Sequence, residues 1–244
     1  MPAPDHSALR DRGASASHGL PAAVLWDMDG TLVDTEPYWM AAEVDLSAEH
    51  GGSWDESLAL DLVGMSLEAS AAELRARAGI RGTISEIVHE LMQRVVSLVH
   101  TNGLPWRPGA RELLEATRAA SVPCALVTMS WKPLTDVVLA GIPESTFDVV
   151  VTGDAVDQGK PHPEPYLRAT DSLGVPPSAC VAIEDSLPGI ASATAAGARV
   201  LAVQAKVPVP AAPGRSRLAS LEQVDLTDLR RIAAGELYDL LPAG

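Results

Sequence analysis

The chain is short of cysteine, of basic charge and of long apolar runs. Its 244 residues contain two cysteines, Cys124 and Cys180, far apart and outside any metal-ligand spacing. That excludes a disulfide framework and a zinc ribbon and suits a reducing cytosol, so a cytoplasmic location is expected. Neither staple is needed, because a chain of this length can bury a sizeable core. Lys and Arg number 18 against 32 acids, a net charge of −14. Such a surface excludes a general nucleic-acid binder, because the phosphate backbone selects Lys and Arg. It also disfavours docking on anionic lipid. No run of about 18 apolar residues occurs, so no membrane-spanning helix is expected. Residues 1–20 lack the apolar stretch of a signal peptide and read as a poorly ordered tail.

What is present is an alternation. Short, Val-rich apolar runs at 22–26, 123–127, 147–151, 179–183 and 199–203 read as buried strands. Helical stretches lie between them at 109–120, 132–140, 163–173 and 187–196, with Gly141, Gly174 and Gly197 just past three of them as C′ glycines. Strands apolar on both faces and alternating with helices predict an α/β fold with a parallel sheet covered on both sides. Residues 36–103 break the alternation and look purely helical. Ser53-Trp-Asp-Glu56 and Thr83-Ile-Ser-Glu86 fit capping boxes, and Ile84, Ile87, Val88, Leu91, Val95, Leu98 and Val99 form one apolar stripe. Pro208–Arg217 reads as a loop.

Ligands of an open parallel sheet bind beyond the carboxyl ends of its strands. There the sequence places Asp27 and Asp29 after the first strand, and Thr128, with Ser130 close by, after the second. Lys160 lies in the loop after the third, and Glu184 with Asp185 after the fourth. Taken singly these are bland: a turn, a strand-end cap, a solvated lysine. Lysine is nevertheless scarce, three against 15 arginines, and a Glu-Asp pair after an apolar strand is costly to bury without a cation. Together they form a coherent set. Asp27 and Asp185 can hold a hard divalent cation such as Mg²⁺. An aspartate can attack phosphorus, and a second acid two residues on can protonate the leaving oxygen and then activate water. Thr128 and Lys160 can neutralise phosphoryl oxygens.

These segments, Asp27-Met-Asp-Gly-Thr-Leu-Val-Asp34, Val127-Thr-Met-Ser130, Gly159-Lys-Pro-His-Pro-Glu-Pro-Tyr166 and Val181-Ala-Ile-Glu-Asp-Ser-Leu-Pro-Gly189, resemble the four motifs of the haloacid dehalogenase-like hydrolase superfamily. The resemblance spans about residues 21–204. It implies a Rossmann-like core (residues 21–35 and 104–244) with a helical cap (36–103) inserted in it. It further implies Asp27 as nucleophile, Asp29 as general acid/base, and Mg²⁺ on Asp27, the backbone carbonyl of Asp29, and Asp185. Thr128 and Lys160 would bind the phosphoryl group, with Glu184 supporting the metal or Lys160 and Met129 packing beneath the site. Cys124 and Cys180 would stand on strands separated by the first one, too far apart to bond.

Asp29 favours phosphoryl transfer over dehalogenation. Trp39 stands where the related β-phosphoglucomutases carry a cap-hinge histidine, and Leu67, three residues after Gly64, where they carry an arginine. A phosphatase is therefore expected, with a phosphomutase and a non-catalytic phospho-ligand-binding protein as alternatives. Thr35-Glu-Pro-Tyr-Trp39 resembles the cap entry of sugar- and polyol-phosphate phosphatases. Glu36, Trp39 and Lys132 are the candidate substrate contacts. The expected partner is a small phosphorylated metabolite, and the expected state a monomer, with a dimer as the alternative. Residues 36–103 hold 11 acids and four arginines, half of the net charge. An acidic cap should disfavour a second anionic group and prefer a neutral sugar or polyol body.

Overall fold

The computed structural model describes residues 19–62 and 65–241. In chain order they form β1 (Ala23–Trp26), α1 (Glu36–Glu49), α2 (Glu56–Leu60), α3 (Leu67–Arg77), α4 (Ile84–Asn102), α5 (Ala110–Ala119), β2 (Cys124–Val127) and α6 (Lys132–Ala140). Then follow β3 (Val149–Val151), α7 (Glu164–Leu173), β4 (Cys180–Glu184), α8 (Leu187–Ala196), β5 (Arg199–Val203), β6 (Ser216–Leu218) and α9 (Leu226–Ala233). The six strands make one parallel sheet in the order β3-β2-β1-β4-β5-β6. The predicted α/β class and parallel sheet are found. The tail expected over 1–20 lies, up to residue 18, outside the described residues, as does Gly64. Leu20, placed in that tail by sequence, packs against the core instead.

Strict alternation of side chains explains why the strands read as unbroken apolar runs. Val24, Trp26, Leu126, Val181, Ile183 and Leu201 point to one face. Ala23, Leu25, Ala125, Val127, Ala182 and Ala202 point to the other, beneath Tyr166 and Ala169 of α7 and Ile190 of α8. β1 sits between β2 and β4 with all four residues buried. Cys124 pairs in register with Val24 and Cys180 with Ala23, so the two buried thiols stand on opposite sides of β1 and are free. Among the described residues no helix is long and apolar enough to cross a membrane.

Helices α1–α4 follow β1 directly. α4 packs on α1, α3 and α6, and the side chains between these helices are continuous with one face of the sheet. The capping box at α4 is complete: Thr83 Oγ1 accepts the Glu86 N–H, and Glu86 accepts the Thr83 N–H.

Three local expectations are corrected. The helix foreseen from Ser53 starts two residues later. Asp55 is its cap, accepting the Leu58 N–H at 3.0 Å, because the extended chain path sets Asp55, an equally good capping residue, at the helix start. Gly174 and Gly197 end their helices left-handed, at φ 69° and 91°, but Gly141 has φ −90°. At 141 the glycine lets the Leu104 side chain pack close, since a Cβ there would make that side chain shift. Lastly, Ser216 and Arg217 belong to β6, not to a loop. Arg217 hides on a strand because its guanidinium pairs with Asp239 at 3.0 Å and donates to the Val209 carbonyl at 2.8 Å, a burial that no apolar run announces.

Leu91→Ala, at a fully buried position of the α4 stripe, is expected to cost about 2–5 kcal/mol. Leu98→Ala, on the half-buried edge of the same stripe, should cost clearly less. Urea denaturation of the two variants measures the difference.

Candidate active site

The loop after β1 is a locked turn. Gly30 N–H donates to the Val33 carbonyl at 2.8 Å, and the Leu32 and Val33 N–H groups return to the Met28 carbonyl at 2.9 and 3.0 Å. Met28, Leu32 and Val33 are fully buried beneath it. Gly30 has φ +86°, and a Cβ there would strike Asp185 Oδ2, so both handedness and space require glycine. The pegged turn aims Asp27 and Asp29 over the carboxyl end of the sheet.

Lys160, a solvated loop lysine by position alone, is buried, with its side chain 3% exposed. Its ammonium donates to Asp27 Oδ1 at 2.6 Å, Glu184 Oε1 at 2.6 Å and the Val127 carbonyl at 2.9 Å. All three of its donors are thereby engaged. Burial pushes this lysine down, but Asp27 and Glu184 outweigh it and hold it above the ordinary range. Glu184 is fully buried and fully engaged. Oε1 also accepts the Tyr166 hydroxyl at 2.6 Å, and Oε2 takes the Ser186 hydroxyl at 3.2 Å. Of the two supporting roles expected for Glu184, this geometry serves Lys160.

Asp27 is different. Lys160 holds Oδ1, while Oδ2 is buried without a partner among the described residues. Burial, then Glu184, push Asp27 up to about 7 despite Lys160. Asp185 is 5% exposed, held by one long contact from Thr31 at 3.4 Å, and raised well above the usual carboxylate range by burial and then by Asp27. Oxygens of Asp27, Glu184 and Asp185 all lie within 4.8 Å of one another. The Asp29 side chain is not in this group. It accepts instead from Thr35 on one oxygen, and from Ser130 at 2.7 Å and Thr128 at 3.2 Å on the other. Met129 accepts the Lys160 N–H on its sulfur at 3.3 Å, fixing that loop as a packing residue would.

Glu36 and Trp39 line the same cavity, together with Thr128, Ser130 and Lys160. Lys132 does not: its ammonium turns to Asp136 at 2.6 Å on the exposed face of α6. An i, i+4 acid on that helix is a closer partner than the cavity. Three contributors escaped the sequence reading. Thr35 looks like an ordinary helix cap, yet makes no capping bond because its hydroxyl goes to Asp29. Tyr166 lies at the end of the quoted Lys160 segment, where nothing marked its hydroxyl. Glu43, buried at 5% exposure and also lining the cavity, donates nothing to any motif. Helical spacing from Glu36 and Trp39 was the signal that could have found it.

Burial pushes Glu43 from 4.5 to about 7, opposed by the Trp54 indole, which donates to its Oε2 at 2.9 Å. A raised carboxyl pKa means the folded state keeps a proton that the unfolded chain releases. Its contribution to stability is therefore complete below pH 4.5 and declines as pH rises to about 7. Glu43→Gln should be more stable than the parent at neutral pH, the gain growing from pH 4.5 to about 7 and constant above. Urea denaturation across that range checks the sign; a gain that shrinks with rising pH would refute it.

Comparison with known proteins places this geometry. The family model for haloacid dehalogenase-like hydrolases matches residues 24–203. Hexitol phosphatase B of Escherichia coli is 32% identical over 218 residues, covering 88% of this chain and 96% of that protein. A phosphorylated carbohydrates phosphatase of Thermotoga maritima is 34% identical over 179 residues, covering 72% and 81%. The crystal structure of CbbY from Rhodobacter sphaeroides in complex with phosphate superposes with a TM-score of 0.78 at 28% identity, covering 86% of this chain and 99% of that one.

Proposed function

The chain belongs to the haloacid dehalogenase-like hydrolases, and from that premise we propose that it is a Mg²⁺-dependent phosphatase of phosphorylated carbohydrates, acting on a sugar or polyol monophosphate. One observation carries the mechanism. Asp27, which lines the cavity, has one oxygen pinned by Lys160 and the other buried without a partner among the described residues. That free oxygen is the nucleophile, forming an aspartyl phosphate as the sugar oxygen leaves. Asp29, oriented by Thr35, Thr128 and Ser130, gives the leaving oxygen its proton and then takes one from the water that hydrolyses the intermediate. Lys160 stays with Asp27 and Glu184. A phosphoryl oxygen reaching its ammonium must displace one of the three present acceptors. Thr128 lies beside Asp29, where its hydroxyl can turn to a phosphoryl oxygen.

The residues fit a divalent cation. Five acids, Asp27, Asp29, Glu36, Glu43 and Asp185, line the cavity, and Lys160 is the one basic side chain among its described lining residues. A phosphate dianion entering that field needs added positive charge. Asp27 and Asp185, whose oxygens lie within 4.8 Å of each other while Glu184 is fully engaged, would hold the ion, with the Asp29 carbonyl as the family resemblance implies. When bound, Mg²⁺ supplies charge neutralisation between nucleophile and phosphoryl group. Helices over residues 36–103 serve as the cap that shuts water out of the cavity.

Asp27→Asn and Asp185→Asn are each expected to lower kcat at least about a thousandfold in phosphate-release assays. EDTA should abolish activity and Mg²⁺ restore it. An Asp27 variant with near-parental turnover would overturn the mechanism. Turnover of a sugar phosphate without phosphate release would favour a mutase, and binding without turnover of any substrate a non-catalytic protein.

A further inference from the structure

The mechanism leaves one buried, chemically active side chain of the cavity unused. Glu36, Trp39 and Glu43 occupy positions i, i+3 and i+7 of α1 and so share one face, and all three line the cavity. The stripe runs away from the chemistry. Thr35, just before α1, holds Asp29, and Glu43 lies eight residues further on, about 12 Å along the helix axis. The same cavity is lined by the apolar side chains of Ala59, Leu62, Leu67 and Leu91. Ser70 of α3, 8% exposed, adds one hydroxyl.

Glu43 itself is 95% buried by the same measure that leaves it 5% exposed. One oxygen, Oε2, accepts the Trp54 indole N–H at 2.9 Å. Oε1 has no hydrogen-bond partner among the described residues, yet it is not sealed off, since the side chain opens on the cavity. Among the described residues no lysine or arginine pairs with it. Trp54 is itself clamped from outside by Arg77, 5.5 Å above its ring, and Arg77 is tied to Asp61 at 2.9 Å. One oxygen of this carboxyl is held by Trp54 and the other stays open to the cavity, where a ligand group can meet it.

We propose that Glu43 is a specificity-determining residue that receives a hydroxyl group at the end of the substrate remote from the phosphate, and so selects polyhydroxylated monophosphates against bisphosphates. This rests on the phosphatase reading above and adds the recognition residue to it. Eight residues of helix separate Thr35, which holds Asp29, from Glu43, so a ligand that meets both ends of the stripe is an extended one, as a phosphorylated polyol chain is. Small-molecule sites set orientation through a few polar groups in an otherwise apolar wall, which is what Glu43 and Ser70 provide. A hydroxyl donates to Oε1 and fills the vacant acceptor. A second phosphate at the same place would meet a carboxylate and find no cation. The stretch of Glu43 above the ordinary carboxylate range lets the carboxyl serve also as donor near neutral pH.

The test compares a hexitol monophosphate, the corresponding bisphosphate and an aryl phosphate lacking distal hydroxyls, each with Mg²⁺. Glu43→Gln keeps an acceptor for Trp54 but loses the charge and turns an amide toward the ligand. Glu43→Leu removes the polar end altogether. In both, the ratio of kcat/KM for the hexitol monophosphate to that for the aryl phosphate should fall at least about tenfold, through KM rather than kcat. In Glu43→Gln the preference for monophosphate over bisphosphate should narrow at least about threefold. Should Glu43→Leu fail to fold, Glu43→Gln carries the result alone. Equal losses on all three substrates would make Glu43 a structural support of Trp54, and unchanged ratios would make it a bystander. Either overturns the inference alone. A parent enzyme that cleaves the aryl phosphate and no hexitol phosphate would overturn the substrate class together with the inference.

Discussion

One ammonium between two buried carboxylates governs this structure. Lys160 Nζ lies 2.6 Å from both Asp27 and Glu184, with all three side chains less than a tenth exposed. Ions so buried lose several kcal/mol of hydration each, and only close pairing with every donor and acceptor satisfied offsets the loss. The third donor therefore goes to the Val127 carbonyl, and the remaining Glu184 lone pairs to Tyr166 and Ser186. The cluster also ties together the ends of β1, β2 and β4 and the loop after β3, through links that span 133, 33 and 24 residues of the chain. Removing any member leaves a partner charged and alone. The unpartnered Asp27 Oδ2 is the one place where the set is open, and it is where chemistry can occur.

Such crowding is tolerated because the backbone makes room for it. Gly30 and Gly189 lie against the carboxylates of Asp185 and Glu184, and a Cβ at either would collide with them. Gly189 also sits in the first turn of α8, where Ser186 Oγ accepts its N–H at 3.2 Å. Sequence positions that look like turn punctuation are thus spacing elements of the site.

Much of this was legible in advance, for identifiable reasons. Strand ends in a parallel sheet converge, so Asp27, Thr128 and Asp185 could be grouped from apolar runs and the residues that follow them. A buried Glu-Asp pair demands a cation, and a scarce lysine answers it. What escaped were interactions without a periodic signature. Arg217 is buried only because Asp239, 22 residues on, returns to meet it. The hydroxyls of Thr35 and Tyr166 matter because of where tertiary packing points them. Lys132 went the other way, since proximity in sequence to Thr128 says nothing about which face of α6 its side chain takes. The mismatch at Ser53 and Asp55 is of a different kind: both residues can cap, and the chain path decides.

The net charge of −14 gains a location from the structure. Acidity on an exposed helix is screened within about 10 Å at moderate salt, and says little about a ligand. Glu36 and Glu43 are not of that kind. Both face the cavity, and burial drives each to about 7. With Asp27, Asp29 and Asp185 they set a field in which a phosphate is repelled unless a cation arrives with it or before it, and in which a neutral hydroxyl is welcome. The same acids that seem to oppose an anionic substrate therefore divide the cavity into two regions. On the proposed reading, the carboxylates near β1 and β4 call for a cation and so prepare the phosphoryl end. Along α1 they have no cation to share, which leaves hydroxyl groups as the fitting complement.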